Sequence, residues 1–279
     1  MFYALSAAAK LAWFALYRRP HPHAAQADST GAAPSYTVLV PLYREAAVLP
    51  HLLRALADLA YPSDKLQVLL LVEPDDTETL DALAGVDLQP PFEVLVVSDA
   101  PPRTKPKACN EGLAKATGEY TVVYDAEDRP EPDQLRKAVA AFAAGADDVG
   151  CYQARLNVYN ARQNFLTRMF RLEYTLWFDV LLPALSRLDT VVPLGGTSNH
   201  FRTATLRDLG GWDAYNVAED CDLGVRIRRA GLRVGLLDST TYEEAPCRLG
   251  IWVRQRSRWI KGYLQTFLVH TREPVRLAR

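Results

Sequence analysis

The sequence predicts an α/β domain built on a mostly parallel central sheet with helices on both faces. Three observations lead there. Short runs of apolar and β-branched residues alternate with segments whose apolar residues recur at helical spacing. The runs are apolar at consecutive positions, as strands covered on both faces are. Each run also ends in polar or acidic residues, and open α/β sheets bind ligands beyond the carboxyl ends of their strands.

In chain order, residues 37–42 (TVLVPL) read as a buried strand and 45–60 as a helix, with Val48, Leu49, Leu52, Leu53, Leu56 and Leu59 on one stripe. Residues 67–73 (QVLLLVE) and 92–98 (FEVLVVS) are a second and a third buried strand. Residues 107–117 form a helix stopped by Gly118, 120–125 (YTVVYD) a fourth strand, and 132–144 another helix. Residues 149–159 read as a strand, 165–188 as one long aromatic helix and 193–201 (PLGGTSNHF) as a glycine-containing turn region. A helix at 219–230 stopped by Gly231, a strand at 232–238 and a final helix at 248–270 complete the domain. There is no internal repeat.

Composition narrows the function classes. Thirty-two Lys+Arg against thirty-three Asp+Glu leave a net charge of −1, which argues against a nucleic-acid partner held by a basic surface. The four cysteines, Cys109, Cys151, Cys221 and Cys247, show no C-x-x-C spacing, so neither a disulfide framework nor structural zinc is expected and a reduced, cytosolic environment is the default. Residues 1–19 hold an apolar run followed by Arg18 and Arg19. The run is shorter than the about 20 residues that span a bilayer, and its basic residues follow it, the reverse of a signal peptide. It reads either as an amphipathic surface helix or as a membrane-contacting helix with cytosolic arginines. Residues 20–35 read as a linker, 36–272 as the domain and 273–279 as a tail.

Chemistry-bearing residues collect at the strand ends. Asp125, Glu127 and Asp128 leave the fourth strand as hard oxygen ligands suited to Mg²⁺ or Mn²⁺; a solvated acidic turn is the plainer alternative. Glu73, Asp75 and Asp76 end the second strand, where carboxylates would hold a base and ribose. Lys105 and Lys107 precede a helix at a phosphate position, or are ordinary surface charges. Further on come G-G-T-S-N (195–199), A-E-D (218–220) and Q-R-S-R-W (255–259), the last placing an Arg beside a Trp, an arrangement that core packing can also produce.

As an ordered set, P-L-Y-R-E (41–45), V-E-P-D-D (72–76), T-K-P-K-A-C-N (104–110), Y-D-A-E-D (124–128), P-L-G-G-T-S-N (193–199), G-G-W-D (210–213), A-E-D and Q-R-S-R-W closely resemble family 2 glycosyltransferases of the cellulose-synthase-like processive branch. The resemblance covers nearly all of 36–272. It departs in two places. Glu127, with Asp128 beside it, stands where the second carboxylate of D-x-D is usual, leaving the ligand between them open, and Ala218 replaces the threonine of T-E-D.

The resemblance implies a GT-A fold and an inverting hexosyltransferase drawing on a nucleotide sugar, UDP-glucose, with a divalent Mg²⁺ or Mn²⁺ at Asp125, Glu127 and Asp128. It implies Asp220, with Glu219 beside it, as the catalytic carboxylates. Pro41, Tyr43, Glu45, Glu73, Asp75, Lys105, Lys107, Asp125 and Arg258 would bind the nucleotide sugar, and Gly196, Thr197, Ser198, Gln255 and Trp259 the glycan acceptor. The aromatic and basic composition of the helices at 165–188 and 248–270 reads as interfacial or as ordinary core packing; the resemblance implies that they lie at the cytosolic face of a membrane, the bacterial inner membrane. Because the resembled synthases continue into transmembrane helices, the chain is expected to be a fragment or to take its channel from a partner subunit. Transfer of single sugars to a lipid or small acceptor, and an inactive nucleotide-sugar-binding scaffold, are the competing readings.

Overall fold

The computed structural model describes residues 33–272. The apolar run at 1–19, most of the linker and the tail at 273–279 lie outside the described residues. Eight strands form one sheet in the order β3-β2-β1-β4-β7-β6-β8-β5. β1 (Tyr36–Leu42) is followed by α1 (Leu49–Ala57), β2 (Leu66–Val72), α2 (Thr77–Ala84), β3 (Phe92–Val96), α3 (Lys105–Lys115) and β4 (Tyr120–Val123). These four strands run parallel. A two-residue β5 (Arg129–Pro130), α4 (Gln134–Ala144) and β6 (Val149–Val158) come next, then α5 (Phe165–Tyr174), a π-helical segment (Thr175–Leu181) and α6 (Leu182–Arg187). β7 (Asn199–Arg202), α7 (Thr203–Asp208), α8 (Glu219–Arg229), β8 (Arg233–Glu243) and α9 (Leu249–His270) complete the domain.

Consecutive residues of β1 and β2 are buried on opposite faces, which is why those strands are continuously apolar. Val38, Val40, Val68 and Leu70 pack with Leu49, Leu52 and Leu56 of α1 and Leu135 and Phe142 of α4. Leu39, Leu69 and Leu71 pack on the other face with Leu113 of α3, Leu206 of α7 and Leu223 and Ile227 of α8.

Several expectations are corrected. Residues 92–98 do not form a buried strand. β3 is an edge strand with Val94 41% and Val96 49% exposed, because no helix covers that end of the sheet. The turn region at 193–201 contains β7, which runs antiparallel between β4 and β6. Its pattern looked unlike a strand because buried Asn199 and His200 are polar; His200 Nδ1 pairs with Tyr36 Oη at 2.7 Å. The helix at 165–188 is three pieces, with Pro183 in the first turn of α6 after the π segment. β8 extends to Glu243 because the polar run after residue 238 is sheet whose hydroxyls have internal partners. Ser198 Oγ pairs with Thr241 Oγ1 at 2.6 Å, and Gln134 donates to Ser239 and Thr241 at 3.1 Å.

No helix among the described residues is long and apolar enough to cross a membrane. α9 is amphipathic: Ile260, Leu264, Phe267 and Leu268 are 52–66% exposed along one stripe, while Gly262, Thr266 and His270 face inward.

Candidate functional site

Two cavities meet at the carboxyl ends of the parallel strands. The first (≈ 350 Å³) is walled by Pro41 near the end of β1, Tyr43 and Glu45 after it, Glu73 after β2, and Arg103 and Thr104 before α3. The second (≈ 270 Å³) lies between the G-G-T turn, the start of α8 and the middle of α9. Lys105, Asp125 and Glu127 line both.

Local backbone explains the first cavity. Arg44 sits at φ 61°, and its N–H donates to Asp76 Oδ2 at 2.5 Å, turning the chain so that Tyr43 and Glu45 reach the cavity. Asp76 also caps α2, its Oδ1 accepting from the Thr79 N–H at 3.2 Å. Glu45 and Glu73 are both pushed up, first by burial; Asp125 and Asp76 add to this at Glu45, while at Glu73 the nearby Lys107 opposes it. Glu73 Oε2 is buried without a hydrogen-bond partner, 3.8 Å from the Lys107 ammonium.

The shared wall is an ion pair. Lys105, opening α3, pairs with Asp125 and donates to the Gly196 carbonyl at 2.7 Å. Burial disfavours its charge, but Asp125 and Glu219 outweigh it and hold the ammonium above the ordinary lysine range. Burial, then Asp125, pushes Glu127 up to about 7.

In the second cavity Asp220 occupies the first turn of α8 and accepts from the Cys221 N–H at 2.7 Å. Burial, then Glu219, pushes its carboxyl up to about 7. A Cβ on Gly196 would stand 3.6 Å from Asp220 Oδ2, so the bare glycine leaves space beside that oxygen. Arg256 is held bidentate by Glu173 at 2.7 and 2.6 Å and lies 4.3 Å from the Trp259 ring centre. Trp259 is near-parallel to Tyr174, 24° between planes, so the indole is fixed from several directions. Gln255 Oε1 is buried without a partner, and Arg258 is exposed at the cavity wall.

The structure therefore brings together Pro41, Tyr43, Glu45, Glu73, Lys105, Asp125, Glu127, Gly196, Thr197, Glu219, Asp220, Gln255, Arg258 and Trp259. Four expected residues lie elsewhere. Lys107, two residues after Lys105 and so about 200° around the helix, is buried against Glu73 (3.8 Å) and Glu111 (3.5 Å). Asp75 is drawn outward into an ion pair with Arg103 at 2.8 Å. Ser198, at φ 58°, is buried, and its hydroxyl is spent on Thr241. Asp128 is buried; its Oδ2 accepts from the Asp125 N–H at 2.8 Å and from the Thr197 hydroxyl.

That geometry sets the metal-ligand candidates apart by position. Asp125 and Glu127 fit a divalent ion: both are hard oxygen donors on the shared wall, and the repulsion that raises Glu127 is one a cation would relieve. Asp128 lines neither cavity: its Oδ2 closes the turn, while its Oδ1 is buried without a partner. Among the described residues no three His, Cys, Asp or Glu side chains form a cluster that holds a metal unaided. Water and ligand oxygens would complete the shell, as Mg²⁺ ordinarily requires.

Sequence reading missed Arg103 and, in the second cavity, Tyr174 and Glu243 as site residues. Arg103 had a signal, a cation just before the T-K-P-K segment. Glu243 had none, because the strand that carries it was expected to stop five residues earlier.

Residues 33–262 match the profile of the family described as Glycosyltransferase like family 2, and the chain belongs to that family. Among its relatives is a probable glycosyltransferase, YdaM, of Bacillus subtilis (strain 168), 28% identical over 82% of this chain and 55% of the relative. A β-monoglucosyldiacylglycerol synthase of Trichormus variabilis is 28% identical over 91% of this chain and 53% of the relative. A probable glucomannan 4-β-mannosyltransferase of Arabidopsis thaliana is 28% identical over 86% of this chain and 45% of the relative. The chain thus spans about half the length of the relatives it matches. Among solved structures, the mannosyltransferase PcManGT of Pyrobaculum calidifontis, in complex with GDP-Man and Mn²⁺, superposes with a TM-score of 0.75 at 24% identity, covering 97% of this chain and 72% of the other. TarS of S. aureus, in complex with UDP-GlcNAc, gives 0.57 at 19% identity, covering 76% and 59%. The fold is GT-A.

Proposed function

We propose that the chain is the catalytic domain of an inverting, divalent-metal-dependent hexosyltransferase. In this reading it transfers glucose from UDP-glucose to the end of a growing β-linked polysaccharide at the cytosolic face of the bacterial inner membrane. The observation that carries it is the position of Asp220: a buried carboxyl with a free approach past Gly196, near the Lys105–Asp125 wall that the two cavities share.

The first cavity takes the nucleotide, with the carboxylates of Glu45 and Glu73 accepting from ribose and base donors. Asp125 and Glu127 would hold Mg²⁺ or Mn²⁺, which when bound offsets the charge that develops on the departing diphosphate. Lys105 adds fixed positive charge at the same wall, and Arg258 does so from α9. The acceptor enters the second cavity and lies against the immobilised face of Trp259, with Gln255 meeting a hydroxyl. Asp220, ionised, takes the proton of the acceptor hydroxyl as its oxygen attacks the anomeric carbon. The nucleoside diphosphate leaves from the opposite side, so one displacement inverts the configuration. General-base assistance of this kind is worth about 10²–10⁴-fold.

The nucleotide-sugar complexes of the solved neighbours and the Mn²⁺ of one of them support the donor class and the ion. The glucomannan mannosyltransferases among the relatives support a polysaccharide acceptor. The exposed apolar stripe of α9 supports attachment to a membrane surface, from where the chain would serve a channel or partner subunit.

A second reading, addition of one sugar to a lipid, is favoured by the apolar side of the second cavity, where Leu156, Trp177, Phe178 and Leu194 stand. Incubation with labelled UDP-glucose or GDP-mannose, Mn²⁺, and either cellotetraose or diacylglycerol separates them. A ladder of lengthening oligosaccharides from UDP-glucose is the expected result; a single addition to diacylglycerol selects the second reading. Transfer from neither donor overturns both.

A further inference from the structure

One carboxyl of the second cavity has no part in the chemistry above. Glu243 is the last residue of β8 and lines the cavity. Its Oε1 accepts from the Tyr174 hydroxyl at 2.7 Å, and its other oxygen has no hydrogen-bond partner among the described residues. No arginine or lysine is in ion-pair contact with it among those residues. Tyr174 ends α5, immediately before the π-helical segment that brings Trp177 and Phe178 to the same cavity. Its ring lies nearly parallel to Trp259, 6.5 Å between centres.

Resting on the reading of this cavity as the acceptor site, we propose that Glu243, oriented by Tyr174, is a specificity-determining residue that binds a ring hydroxyl of the acceptor's terminal pyranose. A pyranose recognised by an aromatic plane presents its hydroxyls at the rim of that plane. The Tyr174–Glu243 bond holds a polar group in the cavity that Trp259 also lines, on the residue whose ring stacks against that indole. A hydroxyl can both give and receive a hydrogen bond, so it pairs with a carboxyl in either protonation state. Burial, opposed by the Tyr174 bond and reinforced by Glu127 and Asp125, pushes Glu243 up to about 8. A polar group left unmatched in such a site costs free energy, so a site built this way rejects analogues lacking the hydroxyl.

The test is cellotetraose binding to the UDP-loaded, full-length chain, followed by tryptophan fluorescence, with UDP-glucose affinity measured in parallel. Glu243→Ala is expected to weaken cellotetraose about tenfold or more, with UDP-glucose affinity held within about twofold. Glu243→Gln, whose amide can still accept from Tyr174 and donate to a hydroxyl, restores cellotetraose affinity to within about threefold of wild type. Tyr174→Phe weakens cellotetraose selectively. Equal losses for cellotetraose and UDP-glucose, or unchanged cellotetraose affinity in Glu243→Ala, overturn the assignment while leaving the transferase reading intact. A wild-type chain that binds neither UDP-glucose nor GDP-mannose overturns that reading, and the assignment with it.

Discussion

Lys105 and Asp125 are joined by an ion pair that forms the partition between two cavities, and the same ammonium donates to the Gly196 carbonyl at 2.7 Å. Lys105 opens α3, Asp125 leaves β4 and Gly196 belongs to the turn before β7. One side chain thus ties together three of the segments that line the cavities.

If the proton of the acceptor leaves through Asp220, Asp220→Asn lowers kcat by about 10²–10⁴-fold while the affinity for UDP stays within about threefold. The pH profile is a second reading of the same group. The base works only when ionised, and its carboxyl is pushed up to about 7 by burial and Glu219, so kcat falls as pH drops through that value. A kcat flat from pH 5.5 to 8, or an active Asp220→Asn, would remove Asp220 from the role.

The three candidate metal ligands separate by thermal shift. A ligand at 100-fold over its Kd stabilises by about 2.7 kcal/mol. In Asp125→Asn and Glu127→Gln the Mn²⁺-induced rise in Tm should vanish. Asp128→Asn should instead lower Tm without metal, because it disturbs the bonds to the Asp125 N–H and Thr197, and should keep the Mn²⁺ shift. Loss of the shift in Asp128→Asn would return that residue to the metal site.

Stability without metal should fall as pH rises from 6.5 to 8.5. Glu127 and Asp220, both raised to about 7, and Glu243, raised to about 8, hold protons in the folded chain that the unfolded chain has already released near pH 4. A raised carboxyl contributes stability that is complete below the unfolded value and is lost as pH climbs through the folded one. His200, held neutral by burial at about 3, acts in the opposite sense only at lower pH, below the ordinary histidine value, and so lies outside this window. Thermal denaturation in EDTA across the window checks the sign; a Tm that rises with pH contradicts it.

Gly262 of α9 meets Ala218, the residue before Glu219 and Asp220, so closely that a Cβ there would lie 2.4 Å from the alanine Cβ. Gly262→Val should cost about 1–3 kcal/mol by overpacking and push Arg258 and Trp259 away from Asp220. The expected signature is a drop in kcat measured well below the variant's Tm. The same contact gives a physical account of Ala218: a threonine there would have two more heavy atoms to seat against α9. Wild-type kcat in Gly262→Val would dismiss the coupling.

The sequence by itself determined the doubly covered parallel half of the sheet, since Val38 through Leu42 and Val68 through Val72 are apolar at successive positions. It also determined that carboxylates gather at strand ends, because Glu73 follows β2 directly and Asp125 comes two residues after β4. Tertiary structure decided which of them line the cavities. Lys105 and Lys107 are equivalent as letters, but helical rotation sends one to the cavities and the other to Glu73 and Glu111. Asp128 and Ser198 sit inside the most recognisable motifs, and nevertheless one carboxylate oxygen of the first pairs with Thr197 and the hydroxyl of the second with Thr241, both distant in sequence. Glu243 became a cavity residue only because Ser198 and Gln134 supply hydrogen bonds that let a polar run continue as buried strand. Periodicity and short motifs are local and survive in the sequence. The pairing of a polar side chain is a property of whatever the fold brings against it, and no spacing along the chain encodes that.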